Sequence, residues 1–260
     1  MTMPRLSLVE KASGMTIADV LRRQPQMEKL SLDGVLMLCT HYRRVALCQW
    51  LVRLDVDGLF AGLANGAWLY GHWLAGNSDD AKRTSRLDPF FDAVVCGADE
   101  ATQRIIAASR ATWHQGREYE DDFCYARTLH ACWSGHDDDA ERQWARWRSV
   151  SGGGESRFVV CTALLARNAA DLTDAVVLLL DEILAAIRER QAAESGDPDA
   201  AVTTDRLSLE GLALLRLAHR RGVPLSLSHV LLPDLLQLPP TVRLPDATAW
   251  RQVDDPRGLG

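Results

Sequence analysis

The chain has 260 residues, is 47% hydrophobic and 25% charged, and carries a formal net charge of −6 at pH 7. That is enough apolar material for a sizeable core in one domain or two. The acidic balance argues against a general nucleic-acid binder, which draws its affinity from neutralising phosphates, and favours a basic protein partner.

Residues 1–28 are polar and broken by Pro4 and Pro25, with a short helix expected over Thr16–Arg23. In Ser31–Leu54, Leu32, Val35, Leu36, Cys39, Tyr42, Arg43, Ala46 and Trp50 follow the helical period. Asp55–Gly58 breaks it, and Leu59–Ala75 forms a second helix whose Gly and Ala content permits close approach to neighbours. Ser78–Ser85 reads as a short helix or turn that ends before Pro89, and Phe90–Cys96 with Glu100–Ala111 as a hairpin. Trp113–Asp122, WHQGREYEDD, is acidic and aromatic.

It leads into Phe123–Arg148, two helices joined by a tight turn. The first carries Phe123, Ala126, His130 and Trp133 on one face, and the second carries Ala140, Trp144 and Trp147. Gly135 suits a left-handed stop. Asp137 and Asp138 are expected to accept hydrogen bonds from the next helix's free N–H groups, and Asp138 with Glu141 has capping-box spacing. The same turn grammar recurs at Gly76, Gly97 and Arg167. The steps are irregular, whereas helical-pair repeats hold a period of roughly 34–47 residues.

Val150–Ser156 is a flexible link and Arg157–Ala166 a helix. Asp171–Arg190 is the clearest amphipathic helix, with Leu172, Ala175, Val176, Leu179, Leu180, Ile183, Leu184 and Ile187 in register. Gln191–Thr204 is a linker by composition, and Asp205 is expected to cap a helix running to Arg221. Gly222 and Pro224 stop it, and Leu225–His229 alternates like a short extended piece. From Pro239 onward the tail is expected to drape over the surface or hang loose.

Strand signals are nearly absent. The fold class is all-α: an irregular stack of antiparallel helical hairpins, with TPR-like αα packing but no strict repeat. The organisation expected is a polar N-terminal segment over 1–28, one all-α domain over 29–238 with a linker near 191–204, and an extended tail over 239–260.

Phosphate-loop, zinc-protease and nucleophile-elbow motifs do not occur. Cys39 and His41 point to different sides of a helix and lack two further ligands. The six cysteines are scattered and read as reduced core residues. His130 and His72 read as core-edge histidines. No catalytic residue, metal or cofactor is expected. Two acidic clusters stand out: Glu118, Glu120, Asp121 and Asp122 beside Trp113 and Tyr119, and Asp137, Asp138 and Asp139 at the hairpin turn. Such acids cap helices and aid solubility, offer a face to a basic partner, or perform acid–base or metal chemistry. As a recognition surface, these nine residues are the candidates. The first residues lack an apolar signal core, and the longest apolar run, near Val176–Leu180, is too short to span a bilayer, so a cytoplasmic protein without membrane contact is expected.

Two stretches carry a family likeness: LHACWSGHDDDAERQWARW, and SLEGLALLRLAHRRGVPLSLSHVLLPDLL, where a leucine-rich helix ends at Arg-Gly before a Leu-Pro-x-x-Leu segment. Across roughly Phe90–Leu236 the chain resembles the immunity protein 49 family of bacterial polymorphic toxin systems, whose members lie beside toxin genes, including those delivered by type VI secretion. The resemblance implies a cytosolic all-α protein that binds and neutralises a cognate toxin, and implies no catalytic residues. The competing readings are a helical scaffold or regulator that binds an endogenous protein or peptide, and an all-α enzyme using the acids with a metal.

Overall fold

Ser31 opens a helical hairpin. Its Oγ accepts from the Gly34 N–H at 3.1 Å and caps α2, Leu32–Arg53. Leu54 then adopts φ 54°, an unusual left-handed conformation for a leucine, and reverses the chain. Asp55 Oδ1 accepts from the Gly58 N–H at 2.8 Å and caps α3, Val56–Gly76. The two helices lie very close: a Cβ added at Gly62 would sit 2.7 Å from the Ala46 Cβ. Glycine there sets their separation.

A computed structural model describes residues 3–193, 195–238 and 240–252. These include α1 (Met3–Arg23), α4 (Asp88–Cys96), α5 (Asp99–Ala108), α6 (Glu120–Ser134), α7 (Asp137–Ser151), α8 (Ser156–Ala166), α9 (Ala169–Ala192), α10 (Leu209–Arg220) and the short α11 (Asp234–Gln237). No strand occurs among the described residues; one isolated bridge joins His229 and Leu232. The fold is all-α. Helices pair α1 with α2, α2 with α3, α6 with α7 and α8 with α9, and α10 returns to pack on α4.

Three hairpin turns share one device. After Gly97, Gly135 and Arg167, each in the left-handed region, the following N–H reaches back five residues: Ala98 to Ala93 at 2.9 Å, His136 to Ala131 at 3.0 Å and Asn168 to Ala163 at 3.3 Å. Gly222 closes α10 in the same way, with Val223 bonding to Ala218 at 2.8 Å. Gly76 differs. It is the last helical residue of α3, and Asn77 after it is extended.

Several local expectations change. The helix foreseen over Thr16–Arg23 begins at Met3, because Leu6, Val9, Ile17 and Ala18 form a buried stripe; Pro4 sits in the first turn, where a missing N–H costs nothing. The helix foreseen from Asp205 starts at Leu209, capped by Ser208, whose Oγ accepts from the Gly211 N–H at 3.0 Å; Asp205 instead pairs with Arg190. The tail foreseen as draped or loose is anchored where it is described: Trp250 is 1% exposed, its carbonyl accepts from the Tyr42 hydroxyl, and its ring lies 5.5 Å from His72. The remainder of that tail, with Pro239 and residues 253–260, lies outside the described residues. One cluster of buried apolar side chains runs from Ile17 to Trp250.

Candidate functional site

Two loops meet beside the start of α6. The first, 77–87, joins α3 to α4; the second, 109–119, joins α5 to α6. Both are polar, so their backbone groups need partners from side chains. Glu118 supplies them. One of its carboxylate oxygens accepts from the Ser85 N–H at 3.0 Å, the other from the His114 N–H at 3.3 Å. Thr84 Oγ1 donates to the Arg110 carbonyl at 2.8 Å, and Trp113 Nε1 donates to the Glu118 carbonyl at 3.0 Å. These bonds fix one loop against the other.

The result is a cleft of about 550 Å³ lined by Ser85, Arg86, Trp113, Gly116, Arg117, Glu118, Tyr119, Glu120 and Asp122. Five of the nine recognition candidates line it: Trp113, Glu118, Tyr119, Glu120 and Asp122. Trp113 is half-buried, whereas Tyr119 stands 79% exposed at the head of α6. A second recess continues from Ser85, Arg86 and Asp122 to Tyr125, Arg157 and Glu210.

The carboxylates at this end differ in freedom. Glu118 is spent on the loops. Glu120 takes Arg146 Nε at 2.8 Å and Nη2 at 2.5 Å, which ties α6 to α7. Asp121 Oδ1 accepts from the Asp122 N–H at 2.9 Å. Asp122 lies 3.6 Å from Arg157, whose guanidinium is already held by Glu210 at 2.8 and 3.0 Å. Burial and then the Asp121 charge raise the Asp122 carboxyl above its ordinary value; burial, Asp121 and Asp122 do the same to Glu155. Three acids therefore crowd one place, and Arg157 offsets their repulsion only in part.

Asp137, Asp138 and Asp139 lie elsewhere, past the far end of α6, whose 15 residues span about 20 Å. Their expected capping role is replaced. His136 is the cap residue and makes no side-chain cap bond. Asp137 is already inside α7, and its two oxygens take Arg221 and Arg167, each at 2.7 Å. Asp139 pairs with Arg127 at 3.4 Å and Arg142 at 3.2 Å, while Asp138 is exposed. This cluster is a joint between α7, α8 and α10 through Arg167 and Arg221, not part of the cleft.

Reading the sequence for acids missed the arginines of the same two loops, Arg83, Arg86, Arg110 and Arg117. Their signal was present as KRTSR and RATWHQGR, two basic stretches one helix hairpin apart. His130 also proves deeper than a core edge. It is 3% exposed, its ring lies 4.7 Å from Phe90, and neither ring nitrogen has a hydrogen-bond partner among the described residues. Among the described residues, no three His, Cys, Asp or Glu side chains gather as a metal would require, and no helix is long and apolar enough to cross a membrane.

The fold and the cleft thus define an all-α protein whose distinctive surface is a charged recess with an exposed aromatic at its mouth. The family model for immunity protein 49 matches residues 73–236, more than half of the chain, and the whole lining of the cleft falls within that span. The chain belongs to the immunity protein 49 family. Comparison with curated proteins and with solved structures gives no match.

Proposed function

We propose that this protein is a cytoplasmic immunity protein that binds a cognate antibacterial toxin directly and neutralises it by contact alone, without a catalytic step of its own. The toxin is of the polymorphic or type VI kind, such as a nuclease, and presents a basic surface. Docking centres on Trp113, Tyr119, Asp121 and Asp122, with Glu118 and Glu120 shaping the cleft; Asp137, Asp138 and Asp139 form a second contact at the far end of α6. Membership of the family supports toxin immunity in general.

The observation that carries the surface assignment is Tyr119. An aromatic that is 79% exposed, at the mouth of a recess and beside crowded acids, has the character of an interface anchor. The crowding of Asp121, Asp122 and Glu155 supports a basic partner, because an approaching cation relieves their repulsion and the overall charge of −6 favours encounter.

The test pairs the protein with the toxin domain encoded beside its gene. Co-expression should restore growth, and titration should show tight binding that Asp121→Lys with Asp122→Lys weakens at least about tenfold, as loss of complementary charge does. Glu120 is left intact, because reversing it would set a lysine against Arg146. Absence of protection by the unaltered protein removes the immunity reading. Protection with unchanged affinity in the double variant removes only the site.

A further inference from the structure

We infer that the arginines of loops 77–87 and 109–119 add to the same cleft a recognition patch of opposite sign, built to hold an acidic segment of a protein partner. The inference stands on the charge arrangement at these loops and does not depend on the immunity reading.

On a chain with net charge −6, four arginines are gathered in one place. Arg83 Nη1 and Arg110 Nη1 both reach His114 Nδ1, at 3.3 and 3.4 Å. Among the described residues, Arg83 otherwise donates only to the carbonyls of Asp80 and Lys82. Arg110 donates to the carbonyls of Thr112 and Asp79, and its one carboxylate partner among the described residues, Asp80, is 3.5 Å away and 92% exposed. Arg86 and Arg117 line the cleft, are exposed, and make no ion pair or side-chain hydrogen bond among the described residues. Carbonyls satisfy donors but do not cancel charge. The arginines therefore outnumber the anions that pair with them, and the strain is visible on one member: after burial, the charge of Arg117 draws the Arg83 guanidinium below its ordinary value, Glu118 opposes it, and Arg110 and Arg86 add to it.

Folding alone gives no reason to place like charges together. They repel, and Arg86 and Arg117 make no ion pair or side-chain hydrogen bond among the described residues, although the charge of Arg86 partly offsets that of Asp122. An anionic partner gives that reason. Its class follows from what borders the patch. Glu118, Glu120 and Asp122 share the cleft with Arg86 and Arg117. A phosphodiester strand requires a continuous basic track, and four arginines on two short loops, interrupted by those carboxylates, do not make one. A protein segment bearing one or two carboxylates fits the short patch. Planar guanidinium groups bind carboxylates in a forked geometry, and Tyr119 offers apolar contact beside them.

The experiment uses the intact protein with two defined probes, a hexaglutamate peptide and a thymidine dodecamer, at low salt. The unaltered protein should bind hexaglutamate in a salt-sensitive manner. Arg86→Glu with Arg117→Glu should weaken that binding about tenfold or more, the size expected when a charged contact is reversed. Arg188→Glu with Arg243→Glu, at exposed positions outside the patch, changes net charge equally and should leave it unchanged. Arg86→Gln with Arg117→Gln repeats the comparison without introducing repulsion, and thermal melts confirm that each variant folds. No binding of hexaglutamate, equal loss in both charge-reversed variants, or binding of the dodecamer as tight as that of the peptide would overturn the inference.

Discussion

The guanidinium of Arg43 and the carboxylate of Asp92 face each other in the interior, Nε to Oδ1 at 2.9 Å and Nη2 to Oδ2 at 2.9 Å, and so join α2 to α4. Asp92 is 1% exposed and Arg43 11%; the other acid near Arg43, Asp88, lies 3.2 Å away and is 75% exposed. Removing the arginine strands a buried carboxylate. Arg43→Met should therefore cost about 3–5 kcal/mol in urea unfolding, and Arg43→Met with Asp92→Leu should recover most of that loss. Burial, against the pull of Arg43, pushes the Asp92 carboxyl up to about 6. A raised carboxyl binds more protons folded than unfolded, so its contribution falls as pH rises from about 4 to 6. Without Arg43 the carboxyl moves higher still, and the Arg43→Met penalty should be larger at pH 8 than at pH 5. A penalty equal at both would contradict this account.

His130 works in the opposite direction. Burial, then Arg127, lowers its imidazole to about 3 from 6.5. The unfolded chain takes up a proton below about pH 6.5 that the folded chain refuses, so this residue's contribution is present above that pH and lost as pH falls. With both ring nitrogens lacking partners among the described residues, His130→Leu should be neutral or stabilising at pH 7. At pH 5 the variant should gain about 2 kcal/mol over the parent, at about 1.36 kcal/mol per pH unit. Urea midpoints measured for both proteins at the two pH values isolate the effect, and parallel profiles would refute it.

What the sequence made legible follows from local physics. Helical periodicity located α2, α6 and α9 because their buried faces are wide, and glycine or arginine before a polar cap located the turns after Gly97, Gly135 and Arg167. Family membership followed from two helical patterns in the C-terminal half of the chain. Partners distant in sequence were not legible. Asp137 looked like a cap because a carboxylate at a helix start has that role locally; Arg221, 84 residues away, claims it instead. Glu120 looked free for the same reason, while Arg146 lies on the next helix. The arginine patch arises only when Thr84, Ser85 and Glu118 bring two loops together. α1 was shortened in prospect because its stripe of Leu6, Val9 and Ile17 is sparse, and is buried only once α2 is beside it.

Asp137 provides the next test. It accepts from Arg221, which is 4% exposed, and from Arg167, which is 54% exposed. The hydrogen bond from Arg221 chiefly holds its carboxyl below the ordinary carboxylate value. Since Asp137 itself is 44% exposed, solvent discounts the pair, and Asp137→Asn should cost about 1 kcal/mol at pH 7. A depressed carboxyl contributes stability above the unfolded value, lost as pH falls below about 4. The penalty should accordingly shrink toward zero at pH 3, measured by denaturant titration of both proteins. A penalty that persists there would point to packing of the side chain instead of its charge.

Trp250 decides whether the end of the chain belongs to the folded body. Its indole is 1% exposed, Nε1 donates to the Ala247 carbonyl at 3.0 Å, Arg251 lies 4.4 Å above the ring, and the Tyr42 hydroxyl donates to its backbone carbonyl. Tyr42 is itself 4% exposed on α2, so the contact reaches the core. A tail lying on the surface would tolerate truncation within about 0.5 kcal/mol, whereas a buried tryptophan replaced by alanine costs about 3–5 kcal/mol. Trp250→Ala should therefore lower the urea midpoint by the larger amount. Tyr42→Phe, which keeps the ring and removes only the donor, should cost about 0.5–1.5 kcal/mol. The two changes share one contact, so their effects should not add in the double variant. Full additivity would mean that the hydroxyl and the indole stabilise the fold independently, and the anchoring role assigned to Trp250 would fail.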